Sequence, residues 1–352
     1  MTLMTRTPTP VFTSAPPMRP VHESVNDAGR PLLSRVAENI FWSARYVERA
    51  EHVARAAWVT NDIAFDAGDL SDALRDRLWT GLLEALDIPV PEGATPGMAG
   101  SPCMENLVFE PISGINAAVA RARENARAVR GEISAEMWRT LNERYWEIIG
   151  DSGGARRMLN ESAEGFFDHV INGSMLFQGV TDQTLAHGQR WDFALVGRLL
   201  ERADATCRII MARSRFLEEA GGRLETPLRN IQLMAALRMC CSVEAYRQQH
   251  PRELDLRQVV AFVLLRAEHP RSVRFSVQAA HRAVQRIRMS SGGRDDSGAA
   301  DPAERLLGRL AARLEYAEAS DVAADGVGAF VADVRGTVAA VNAALQRRYF
   351  QG

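Results

Sequence analysis

The chain contains no lysine: all 42 of its basic side chains other than histidine are arginines. A lysine Schiff base, a lysine general base and the lysine of a Walker-type phosphate loop are therefore excluded. The four cysteines, Cys103, Cys207, Cys240 and Cys241, show no CxxC or other metal-ligand spacing. Reduced, packed thiols and a cytoplasmic location are the expectation. HExxH zinc spacing is absent as well. No uninterrupted apolar run reaches membrane-spanning length, and the N-terminus lacks the apolar core of a secretory signal. A formal charge of −2 argues against a nucleic-acid binder that relies on many phosphate contacts.

Alternating Val/Ile/Thr-rich runs are missing, while long Ala/Leu/Arg/Glu segments carry helical spacing, so the pattern predicts an all-α fold. Apolar residues make up 46% of the chain, enough for a sizeable core in a single multi-helix bundle. Residues 1–30, rich in Thr, Pro and Ser, read as a disordered tail, and residues 31–352 as one helical domain with a flexible Gly/Ser/Asp insertion near 290–301. The spacing predicts a first helix from an N-cap at Ser34 to about Phe65, and a helix capped by Ser113. It also predicts single helices over Arg156 to Thr184 and Leu228 to His250, and two closing helices, Pro302 to Ala319 and Val322 to Phe350.

One charge pattern occurs twice. Aligning Glu48 with Glu201 also aligns Arg45 with Arg198, Arg49 with Arg202, Glu51 with Asp204 and Arg55 with Arg208. On a helical wheel Ile40, Ala44, Val47, Ala54 and Trp58 form one apolar stripe, and Phe193, Val196, Leu200, Cys207 and Met211 form its counterpart. Glu51 and Asp204 fall inside those stripes, where a lone carboxylate is costly unless it is paired.

Three readings of this grid stay open. The acids and arginines can be a lock between two ER-motif helices, since Glu-to-Arg at i,i+4 is the favourable order. They can line a polar pocket in which arginines grip a carboxylate or phosphate. A carboxylate-bound metal is the third reading, but the Glu-x-x-His pairs of a di-metal bundle are absent and no metal is expected. His169, His187, His269 and His281 are scattered without a recognisable nucleophile. Arg271, Arg274, Arg282, Arg286 and Arg288 suit a solvated helix face first, and otherwise a phosphate, RNA or an acidic partner.

LLSRVAENIFWSARYVERAEHVARA, ARENARAVR, GRLLERADATCR, CCSVEAYR and FVLLRAEHPRSVRFSV follow one another in this order. Together they closely resemble the bacterial alpha-E family, an α-helical domain of unknown function named for its Glu-Arg motif, over about Leu32 to Phe350. The resemblance implies Glu48, Arg49, Glu51, Arg55, Glu201, Arg202, Asp204 and Arg208 as site positions, with Arg123, Glu124, Arg127, Glu244, Tyr246, Arg271 and Ser272 as secondary ones. It further implies a genetic setting beside circularly permuted ATP-grasp ligases and transglutaminase-like proteins, and hence peptide or amide-bond metabolism. On that reading the chain is an accessory subunit without a cofactor of its own, and ATP and Mg enter only through an ATP-grasp partner. The alternatives are an enzyme acting directly on a peptide or small amide and a purely structural interaction protein.

Overall fold

Helix α1, Ser34–Asp66, runs for 33 residues because neither proline nor glycine interrupts its hydrogen-bond ladder. Its partner α8, Gln189–Glu219, is nearly as long and contains one glycine, Gly197. That glycine sits where the two helices cross: a Cβ there would lie 2.3 Å from the Phe41 carbonyl oxygen. Gly197→Ala is expected to destabilise the chain by about 1–3 kcal/mol through overpacking, read as a lowered urea midpoint. An unchanged midpoint would show that this crossing is not tight.

The computed structural model describes residues 32–66, 72–92, 97, 99–150, 153–219, 226–251, 254–291 and 301–351. The expected tail and all of the insertion between 292 and 300 lie outside the described residues. Every regular element among the described residues is helical.

On one side, α4 (Ile115–Ala128) and α7 (Ala163–Thr184) pack on α1, with α5 (Ala135–Tyr145) behind them. Val47, Ala122, Met137, Leu141 and Phe177 form a small separate cluster there. On the other side, α12 (Val273–Ser290) and α15 (Val327–Leu345) pack on α8, and α13 (Pro302–Tyr316) bridges α12 and α15. The ends of the central pair are covered by α2 (Asp72–Ala85), α3 (Gly100–Phe109) and α9 (Thr226–Met239). The shorter helices α6 (Gly154–Glu161), α10 (Val243–Gln249), α11 (Leu256–Leu265) and α14 (Ala319–Asp325) complete the bundle. Most buried apolar side chains belong to one continuous core around α1 and α8.

Several boundaries differ from the sequence expectation. The Leu33 carbonyl already accepts from Ala37 N–H, so Ser34 is the first helical residue of α1 and not its cap. Gly114, not Ser113, occupies the N-cap of α4. The stretch 156–184 is two helices because Ser162 is extended and its side chain accepts from Gly165 N–H, which caps α7. The stretch 228–250 is also two, because Cys241 takes a positive φ of 50° and ends the first helical path. Gly326, at φ 78°, separates α14 from α15 and makes the closing helices three. The span Val327–Phe350 is long and apolar enough to cross a membrane by length and composition. Its Phe330, Val331, Val334, Val338, Val341 and Leu345 side is buried, and α15 packs against α8 and α13.

Candidate functional site

The two Glu-Arg dipeptides meet where α1 crosses α8, and they exchange partners. Arg202 donates from Nε to Glu48 Oε1 at 2.6 Å and from Nη2 to Oε2 at 3.0 Å. Arg49 donates from Nε to Glu201 Oε1 at 2.6 Å and from Nη2 to Oε2 at 3.1 Å. The same bidentate contact is thus made twice with the helices interchanged, the hallmark of a local two-fold relation. Glu-Arg must repeat on both helices for this geometry to close.

The next layer repeats the relation with different helpers. Glu51 accepts from Arg55 one turn on, at 2.8 Å, and from Arg271, just ahead of α12, at 2.5 Å. Asp204 accepts from Arg208 one turn on, at 2.6 Å, and from Arg335 of α15, at 2.8 Å. Arg208 also pairs with Asp87. Each acid is held by its own helix and by a distant arginine. Glu51 and Asp204 share no partner, however: Glu51 groups with Glu48 through Arg271, and Asp204 keeps to Arg208 and Arg335. The exchanged Glu48–Arg202 and Glu201–Arg49 pairs tie the two helices together, while Glu51 and Asp204 are neutralised in separate groups.

The two-fold relation fails at one pair. Arg45 donates to Glu201 Oε2 at 2.6 Å, but its counterpart Arg198 lies nearest Asp182, at 3.7 Å. Gln178 of α7 donates to Glu48 Oε2 at 2.8 Å instead, and His52 Nε2 lies 3.1 Å from Glu48 Oε1. Arg202 and Arg271 crowd Arg198 with like charge, and burial together with that crowding lowers its pKa.

Electrostatics decide the ionisation. Burial works to raise the Glu48 carboxyl, but Arg202, His52 and Arg271 outweigh it and hold the group well below the usual carboxylate range. Burial likewise opposes Arg45 and Arg49 at Glu201, and the two arginines win, drawing it down to about 2. Glu51 is also lowered: burial and the Glu48 charge are overcome by Arg271, His52 and Arg55. All three carboxylates are therefore anions at neutral pH, spent on guanidinium groups. Among the described residues no group of three or more His, Cys, Asp and Glu side chains is arranged to hold a metal. A cleft of about 150 Å³ borders the Glu201 side and is lined by Arg49, His52, Asp87, Ser113 and Arg208 among others.

All eight primary positions thus lie in this network, together with the secondary position Arg271. Arg123, Glu124 and Arg127 form a different cluster on α4, where Arg123 donates to Asn142 and lies over the Tyr145 ring at 4.4 Å. Ser272 is the N-cap of α12, accepting from Phe275 N–H and donating to the Arg266 carbonyl. Tyr246 is buried against Phe262 and His250, and Glu244 is exposed on the same short helix. Of the basic run on α12, Arg286 pairs with Asp192 and Arg288 with Glu304. Gln178, His52, Arg335 and Asp87 are members that the repeated pattern does not mark, whereas Arg45 stands in it. Arg335 in particular stands in an apolar helix with no motif around it.

Uncharacterized proteins of Mycobacterium bovis and Mycobacterium tuberculosis are each 23% identical over 337 residues, covering 89% of this chain and 36% of theirs. The chain therefore spans about a third of the length of the curated relatives it matches. No solved structure matches. One family, described as a predicted alpha-helical domain with a conserved ER motif, matches residues 32–350, a stretch that contains both exchanged Glu-Arg pairs. The chain belongs to the Alpha-E family.

Proposed function

We propose that this chain is a helical accessory subunit in peptide or amide-bond metabolism, which docks with an ATP-grasp-type ligase while the exchanged Glu-Arg pairs fix the frame. The observation that carries this reading is the saturation of the grid. Glu48, Glu51 and Glu201 are each held by at least two guanidinium groups within ion-pair distance and are kept anionic, a state unsuited to proton transfer near neutral pH. The match to about a third of longer mycobacterial chains supports a module that works joined to something else. A transglutaminase-like protein is a further partner on this proposal, and ATP and Mg belong to the ligase. Four unpaired cysteines, three of them buried, fit a reducing cytoplasmic location.

A second reading, direct action on a peptide or small amide, is favoured by the cleft beside Glu201, Arg49, His52 and Arg208. Affinity purification of the full chain with a co-expressed ATP-grasp-type protein separates the two. A stoichiometric complex, with no turnover of peptides or amides by the isolated chain, is the expected result. Turnover by the isolated chain that is lost in Asp204→Asn at unchanged melting temperature would replace docking with catalysis.

A further inference from the structure

Away from the grid, a cavity of about 320 Å³ lies between α2, the C-terminal part of α8 and the end of α9. Leu78, Leu82, Ile209, Phe216 and Met239 give it an apolar wall. Arg213 lines it and is 7% exposed. Its Nη1 donates to Gln232 Oε1 at 2.8 Å, and its Nη2 reaches Thr60 Oγ1 at 3.2 Å and the Met239 sulfur at 3.7 Å. All three partners are neutral. Among the described residues no carboxylate pairs with this guanidinium, which has about five N–H donors to satisfy.

The contrast with the grid is direct. Burial works to lower Arg49 and Arg271 too, but carboxylates beside them raise both. At Arg213 burial acts alone and pushes the group down to about 10, so it stays charged with no counter-ion among the described residues. Gln232 adds to the surplus of donors: it is fully buried, and its Nε2 has no hydrogen-bond partner. A buried cation in the wall of an apolar cavity calls for an acceptor that carries negative charge.

The charge sets the ligand. Arg77 and Arg215 also line the cavity, but both are engaged by other groups, and Arg77 lies over the Phe216 ring at 5.2 Å. Arg213, held by neutral partners only, is the guanidinium placed to take an anion, and the Glu84 carboxylate in the same lining disfavours a dianionic phosphate against a singly charged head. We propose that this cavity is a binding site for a small organic monoanion, a carboxylate on a short apolar body, with Arg213 gripping the carboxylate. The planar fork of arginine matches both carboxylate oxygens, and the apolar wall takes the body. The site is independent of the docking proposal, because neither the grid nor any partner contributes to it.

Calorimetric titration of the full chain with octanoate, with acetate and 1-octanol as controls, tests the proposal. Octanoate is expected to bind saturably, and acetate and 1-octanol at least about tenfold more weakly, the worth of one charged contact or a buried chain. Arg213→Gln is expected to cost about tenfold or more in octanoate affinity. Gly81→Leu provides a test that leaves Arg213 intact: Gly81 lines the cavity, a Cβ there meets nothing within 4 Å, and leucine suits a helix better than glycine. This variant should keep its melting temperature and lose octanoate binding. Absence of saturable octanoate binding, equal binding of 1-octanol, or undiminished binding in Gly81→Leu would each overturn the site. If Arg213→Gln does not fold, the Gly81→Leu comparison decides the matter.

Discussion

Glu48→Gln is expected to lower the free energy of unfolding by about 3–5 kcal/mol, because it removes one partner of a buried charge pair and strands the other. Glu48 is fully buried and takes Arg202 in a bidentate contact, with Arg271 at 3.5 Å and His52 and Gln178 also on its oxygens. An amide offers one acceptor oxygen and a donor that faces donors, so the guanidinium of Arg202 loses its charge compensation in a dry site. Glu48→Met together with Arg202→Met removes the cost along with the pair. That double variant is expected to recover most of the loss, as buried ion pairs replaced by packed apolar groups commonly do. Urea unfolding of the two single variants and the double variant gives the coupling. A loss below about 1 kcal/mol for Glu48→Gln would mean that water reaches the pair and that the crossing of α1 and α8 does not depend on it.

Local features of this arrangement are legible in sequence, and features that depend on the crossing are not. Glu51 to Arg55 and Asp204 to Arg208 follow from helical spacing alone, and the structure makes both bonds. The repeat also marks Glu48, Arg49, Glu201 and Arg202 as equivalent. It does not say that each acid takes the other helix's arginine, because that choice depends on the close approach at Gly197. Arg271 and Arg335 arrive through tertiary packing of α12 and α15, and nothing in their own neighbourhoods announces an acid. Gln178 takes the place on Glu48 that the repeat assigns to Arg198, a substitution visible only once α7 lies against α1.

Helix interiors behave the same way as the grid. The apolar stripes name Ile40, Ala44, Val47 and Ala54 on one helix and Phe193, Val196, Leu200 and Cys207 on the other, and all eight are buried. Trp58 and Met211, the last members of each stripe, are only partly so. Breaks are harder to read than stripes. Cys241 ends a helical path with a positive φ that composition does not mark, whereas Gly326 carries its own signal. Arg213 is the extreme case: one arginine among 42 gives no signal, and what sets it apart is that its partners among the described residues are all neutral.

Acid should destabilise this chain over two ranges of pH, and the lower range should belong to the grid. His169, His269 and His281 are held below their ordinary value, chiefly by burial. Below about pH 6.5 the unfolded chain therefore binds protons that the folded chain refuses, and stability begins to fall gently. The carboxylates act at lower pH. Glu201 ordinarily titrates at 4.5 and is drawn down to about 2, so its contribution is complete above the unfolded value and disappears as pH falls from about 4.5 toward 2. That shift corresponds to about 3 kcal/mol, and Glu48 and Glu51 are displaced in the same direction. Asp192 opposes them: burial raises its carboxyl despite Arg286, so its charged state costs stability at high pH and that cost is relieved as it protonates. Glu201→Gln isolates one carboxylate. The stability gap between the unsubstituted chain and this variant, measured by urea unfolding, should be wide at about pH 7 and narrow sharply by about pH 3. A gap of equal width at both would mean that Glu201 titrates normally and that Arg45 and Arg49 do not hold its charge.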